Sequence, residues 1–116
     1  VVREYRPLAE KGDARAQYYL GFCYKDGLGV PQDYNEAVKL YRRAAEQGYA
    51  DAQFALGYMY EYGQGVKQDY VQAHKWYNIA GWNDMHKSAA NYRDNLADRM
   101  ATAQVEKAHR LAKKWM

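Results

Sequence analysis

An all-α solenoid of stacked helix pairs is the fold this sequence predicts, and two observations predict it. The first is an internal repeat. Ala9 to Ala44 aligns with Ala45 to Ala80 without a gap at a period of about 36 residues, and roughly half of the aligned positions are identical. Gly12 meets Gly48, Ala16-Gln17 meets Ala52-Gln53, Leu20-Gly21 meets Leu56-Gly57, and Gln32-Asp33-Tyr34 meets Gln68-Asp69-Tyr70. The second is the pattern inside each copy. Small and apolar residues recur at helical spacing, and glycines followed by a capping Asp divide the copy into two helices. A unit this short cannot bury its own apolar face, so it must stack on its neighbours.

The first helix, near residues 2–11, reads as the back half of a repeat. Tyr5, Ala9, Glu10 and Gly12 stand where Tyr41, Ala45, Glu46 and Gly48 stand one period later. With Val1-Val2 at the start and no initiator Met, the expectation is a removed export signal or a trimmed chain, and an exported protein is favoured. The second helix, 13–26, opens on Asp13 as N-cap and carries Ala16, Gln17, Leu20, Gly21 and Tyr24 on one side. Gly21 and Gly57 lie mid-helix, which suggests that another helix crosses there on bare backbone. Gly27-Leu28-Gly29-Val30 and Gly63-Gln64-Gly65-Val66 then end each first helix, the leading glycine suiting a left-handed cap.

The helix over 33–47 begins with Asp33-Tyr34-Asn35-Glu36, a capping box in form, and its copy over 69–81 begins with Asp69-Tyr70-Val71-Gln72. Ala37, Leu40, Tyr41 and Ala44 form the inward stripe of the first, and Ala73, Trp76, Tyr77 and Ala80 that of the second. Between them lies a helix over 49–62. Beyond Gly81-Trp82-Asn83-Asp84 the pattern decays into a helix over 84–100 and another over 102–114 that Thr102 caps. The apolar side of the last helix is Val105, Ala108, Leu111, Ala112 and Trp115. One repeat domain therefore spans 1–116: a truncated leading unit (1–12), two repeats (13–48 and 49–83) and a degenerate cap (84–116) that closes the core.

Bulk properties narrow the function. Hydrophobic residues make up 48% of the chain, which supports a packed core, and no apolar run reaches the ~18 residues of a membrane span. The net charge of +3 comes from the C-terminal helices, which read as a solvated basic face more readily than as a nucleic-acid surface. Cys23 is alone and reads as a small core residue. His74, His86 and His109 form no metal or protease spacing, and no nucleophile motif is present. His74 reads as a surface or boundary residue. The expectation is a non-enzyme with no cofactor and no metal.

The strings AQYYLGFCYKDGLGVPQDYNEAVKLYRRAAEQG and AQFALGYMYEYGQGVKQDYVQAHKWYNIAG resemble the Sel-one-like repeat, a longer-loop relative of the tetratricopeptide repeat. The tail from Asn91 to Trp115 is similar to the closing segment of bacterial members. The resemblance implies a right-handed α/α superhelix and an adaptor or scaffold role. Many members carry Asn, a contact for a bound peptide backbone, where this chain has Tyr19 and Ala55. A cysteine-rich branch linked to β-lactams does not fit a chain with Cys23 alone.

The candidate site follows from the faces that the inward stripe does not use. Opposite Leu20 stand Arg15, Tyr18, Phe22, Lys25 and Asp26, and opposite Leu56 stand Asp51, Phe54, Tyr58, Glu61 and Tyr62. By resemblance to tetratricopeptide repeats these positions, with Tyr19, line a concave groove. Aromatic residues on such faces favour interfaces. The reading is a groove for a protein or peptide segment. The alternatives are a glycan or cell-wall fragment in the same groove, or rings that only pack between adjacent first helices. Exposed terminal helices would also allow a homo-oligomer.

Overall fold

The computed structural model describes residues 2–82 and 85–116. Among them run α1 (Val2–Glu10), α2 (Ala14–Asp26), α3 (Tyr34–Glu46), α4 (Ala50–Tyr62), α5 (Tyr70–Gly81), α6 (Ala89–Ala97) and α7 (Thr102–Ala112), with a 3₁₀ turn at Lys113–Trp115. From α1 to α6 each helix packs on the next, and α7 returns to pack on α5, so that α5 is covered by both α6 and α7. The result is an elongated all-α repeat solenoid of 44 × 25 × 20 Å. None of its described helices is long and apolar enough to cross a membrane.

The repeated residues explain the repeated geometry. Gly57 sits under the ring of Tyr77, where a Cβ would lie 2.7 Å from the ring carbon, and Gly21 meets Tyr41 in the same way at 3.0 Å. The helices of each pair thus cross on bare backbone, as the mid-helix glycines suggest. Gly27 and Gly63 hold φ of +70° and +65° and end α2 and α4 as left-handed caps. The stripes Ala37, Leu40, Tyr41, Ala44 and Ala73, Trp76, Tyr77, Ala80 are buried, and so is Cys23.

Three polar contacts also recur with the period. Gln17 and Gln53, both buried, donate to the carbonyls of Ala9 and Ala45 at 3.1 Å. Gln32 and Gln68 donate to the carbonyls of Lys25 and Glu61 at 2.8 Å, tying each loop to the helix before it. Arg6 and Arg42 reach the hydroxyls of Tyr24 and Tyr60 at 3.1 and 2.7 Å, stitching one unit to the next. The buried amide N–H groups of Gln17 and Gln53 are thus paired with backbone, and the Gln17 oxygen accepts from Gln47 at 2.9 Å, whereas the buried Gln53 oxygen has no partner among the described residues.

Four expectations change. Asp33 and Asp69 accept from the backbone N–H of Glu36 and Gln72, but their own N–H groups donate to the carbonyls of Tyr24 and Tyr60. The reciprocal half of the capping box is therefore not needed. Thr102 is the first residue of α7 rather than its cap: Ala101 takes the cap position, and its N–H donates to the side chain of Gln104. The helix expected over 84–100 is α6 alone. Asn83 and Asp84 lie outside the described residues, His86 is held out of helix against Phe54, and Asp98 to Met100 form a turn. His74 is not on the surface. It is 1% exposed, because α7 closes over it and sets His109 against its ring at 5.2 Å. Burial and the neighbouring His109 push its pKa down to about 4.

Candidate partner-binding groove

The groove is built from the outward faces of α2 and α4, with one ring from α6. Tyr18, Phe22 and Lys25 follow one another at three- and four-residue steps on α2, and Phe54 and Tyr58 do so on α4. Stacking brings these rows side by side around a cavity of about 290 Å³, floored by Tyr41, Ala55 and Met59. Tyr92 of α6 completes its rim. A wider depression of about 1010 Å³ lies elsewhere, lined by Arg42, Tyr60, the first turn of α5 and the loop from Val66 to Asp69 before it. That loop's Gln68 and Asp69 are already committed to helix bonds, so the aromatic cavity is the better candidate.

The predicted residues fall into four groups. Tyr18, Phe22, Lys25, Phe54 and Tyr58 meet at the cavity. Lys25, half-buried, lies over the rings of Phe22 and Tyr58 at 5.3 and 5.8 Å, and its ammonium is a loose 4.0 Å from the exposed Asp26. Tyr62, 51% exposed, continues the row from Tyr58 at a ring distance of 4.7 Å. Arg15 and Tyr19 form a second patch: Arg15 covers Tyr19 at 5.5 Å, and Tyr19 stacks on Tyr5 at 5.3 Å. Tyr18 links the two patches through Tyr19, Tyr41 and Tyr49.

The other two positions are taken by the C-terminal cap. His86 stacks flat on Phe54 at 4.2 Å and places Nε2 3.6 Å from Asp51. Glu61 is a correction to the predicted face. It is 3% exposed and turned inward, where Oε1 accepts from the hydroxyl of Tyr77 at 2.7 Å and Oε2 pairs with Arg99. Helical spacing puts it outside, but the turn carrying Arg99 closes over it. Packing between neighbours therefore accounts for much of Tyr18 and Phe54, while Phe22 stays 37% exposed and Tyr62 more so.

Burial raises the phenol of Tyr18, and the adjoining Glu61 raises that of Tyr62. Both are neutral near pH 7 and offer hydroxyl hydrogen bonds beside apolar rings. Among the described residues no group of His, Cys, Asp and Glu side chains converges as a metal site. Sequence reasoning missed Tyr92, whose ring meets Phe54 edge-on at 4.8 Å. No signal marks it, because the period is lost after Ala80.

The Sel1 repeat family model matches residues 14–49 and 50–81. Among solved structures, the chain is similar to a protective antigen of uropathogenic Escherichia coli with an SLR fold, at 38% identity and a TM-score of 0.95. That match covers 98% of this chain and 24% of the antigen, so the chain spans about a quarter of that protein's length. It is similar at 38% identity and a TM-score of 0.77 to a Sel1 repeat protein from Oxalobacter formigenes, covering 81% of this chain and 70% of the other. Nothing among the curated proteins matches the chain.

Proposed function

The chain belongs to the Sel1 repeat family, and we propose that it is a non-enzymatic interaction module that holds a protein segment across α2 and α4. Repeats of this family generally mediate protein–protein interaction. The observation that carries the finer reading is the cavity of about 290 Å³ walled by Tyr18, Phe22, Phe54, Tyr58 and Tyr92. Rings from adjacent copies form a pocket that takes an apolar side chain, and the exposed edges of Phe22 and Tyr62 extend it along the surface.

Selection from a displayed random-peptide library tests the proposal. Peptides that bind the wild-type chain are expected to lose about 1–3 kcal/mol of affinity against Phe22→Ala and Tyr58→Ala, the range of an interface anchor. Both variants are expected to keep a cooperative urea transition within ~1 kcal/mol of wild type. Unchanged affinity with a large loss of stability would identify the rings as packing alone. The glycan reading shares the same exposed rings. A soluble wall fragment that shifts the aromatic NMR signals of Phe22 and Tyr58, with no peptide bound, would favour it.

A further inference from the structure

Lys25 and Glu61 hold the same position in the two copies, as do Tyr41 and Tyr77. In the second copy Glu61 supplies a carboxylate that accepts the Tyr77 hydroxyl and pairs with Arg99. In the first copy the side chain at that position is a cation. Lys25 leans over Phe22 and Tyr58, and with Tyr41 it lines the aromatic cavity. Burial holds both phenols above their ordinary range, but a hydrogen bond to a carboxylate adds to the effect only for Tyr77. The first copy thus offers an ammonium and a phenol in one ring-walled pocket and brings no deeply placed acid of its own. Asp26 stays exposed and 4.0 Å away.

We infer that the first copy takes from its partner the carboxylate that the second copy carries itself: an acidic side chain seated on Lys25 and Tyr41, with an adjoining apolar side chain in the ring cavity. This inference rests on the groove reading and names its partner as an acidic peptide segment. Charge complementarity selects that occupant. A cation over two rings is partly desolvated, so an incoming carboxylate gains a charge-assisted contact without having to strip a fully hydrated ammonium. The phenol adds a neutral donor, as Tyr77 does for Glu61.

The test selects from a displayed library of internal random peptides, in which no terminal carboxylate is free. Binders are expected to carry Asp or Glu beside an aromatic or aliphatic residue. One such peptide and its amide twin, Gln for Glu or Asn for Asp, are then titrated by fluorescence anisotropy. The acid form is expected to bind wild type about fivefold to tenfold more tightly, the scale of one charge-assisted hydrogen bond in a partly exposed site. Lys25→Met keeps the stem over the rings and should abolish the difference. Tyr41→Phe should narrow it, and Asp26→Asn should widen it. Melting curves should overlay wild type for Lys25→Met. Binders without an acid, or twins of equal affinity that still depend on Tyr58, would overturn the carboxylate inference and leave the groove reading standing. Selection that yields no binder dependent on Phe22 or Tyr58 would overturn both.

Discussion

The two full copies share their scaffold and differ in what their side chains are attached to. The left-handed glycine caps that end α2 and α4, the Asp33 and Asp69 caps that start α3 and α5, the crossing glycines and the amide N–H bonds of Gln17 and Gln53 are the same in both. At three matched positions the first copy has Lys25, Val38 and Arg42 where the second has Glu61, His74 and Asn78. The first set faces the groove, the apolar core and the next unit's Tyr60. The second set is buried and bound to the cap: Glu61 to Arg99, His74 against His109, and Asn78 to Arg93 at 2.8 Å. A repeat's fixed residues encode its backbone. Its variable residues encode its place in the stack, because only the last full copy has a cap to hold.

The largest effect should come from breaking that hold. Glu61→Ala removes a buried acceptor and strands the Tyr77 hydroxyl, so it should cost ~3 kcal/mol in urea unfolding. Lys25→Ala, at the matched position, should cost less than ~1 kcal/mol. Equal costs would dissolve the distinction between the copies.

Acid should expose the same difference. His74 titrates at about 4 when folded against an ordinary 6.5, so the unfolded chain binds the proton more readily. Its neutral form stabilises the fold fully above pH 6.5, and that contribution is lost as pH falls toward 4. The loss should reach ~2–3 kcal/mol, from about 1.4 kcal/mol per pKa unit. His109, Asn78, Arg93 and Asp94 surround the group and stay in place in a His74→Val variant, which copies Val38 of the first repeat. That variant should flatten the pH profile of stability over this window. An unchanged slope would assign the acid sensitivity elsewhere.

A loop pair sharpens the comparison further. Gly29 and Gly65 both hold φ near +75°. A Cβ on Gly65 would collide with the backbone carbonyl of Tyr34, whereas one on Gly29 would meet only the Val2 side chain at 3.2 Å. Gly65→Ala should cost ~2 kcal/mol or more and Gly29→Ala ~1 kcal/mol, since strain is common to both but the collision is not. Last, Tyr77→Phe should cost ~1 kcal/mol and Tyr41→Phe close to nothing, because only the first breaks a buried hydrogen bond. Thermal melts of the two variants measure this directly.

Local chemistry made most of the scaffold legible in the sequence. Asp13 accepts from the N–H of Ala16 at 2.9 Å, Gly27 and Gly63 take the left-handed caps, and both inward stripes are buried. Each follows from residues within a few positions of one another, at 3.6-residue spacing. The candidate groove was legible in part. Spacing places Tyr18, Phe22, Phe54 and Tyr58 on one face, and they do meet around a single cavity. The same spacing misplaced Glu61, because a helical wheel records direction from the axis and not what lies across from it.

By itself the sequence determined that this chain is a stack of helix pairs, where the helices of the two copies turn, and which rings share an outward face. Those are outcomes of periodicity, backbone freedom and capping, and they act over a single turn or loop. The tertiary structure alone decided which outward residues remain outward. The Arg99 turn draws Glu61 in, α7 buries His74, the segment with His86 lies on Phe54, and α6 brings Tyr92 to the cavity rim. All four contacts join the second copy to the non-repeating tail. Where the period ends no register carries over, so only the packed chain specifies which residues meet.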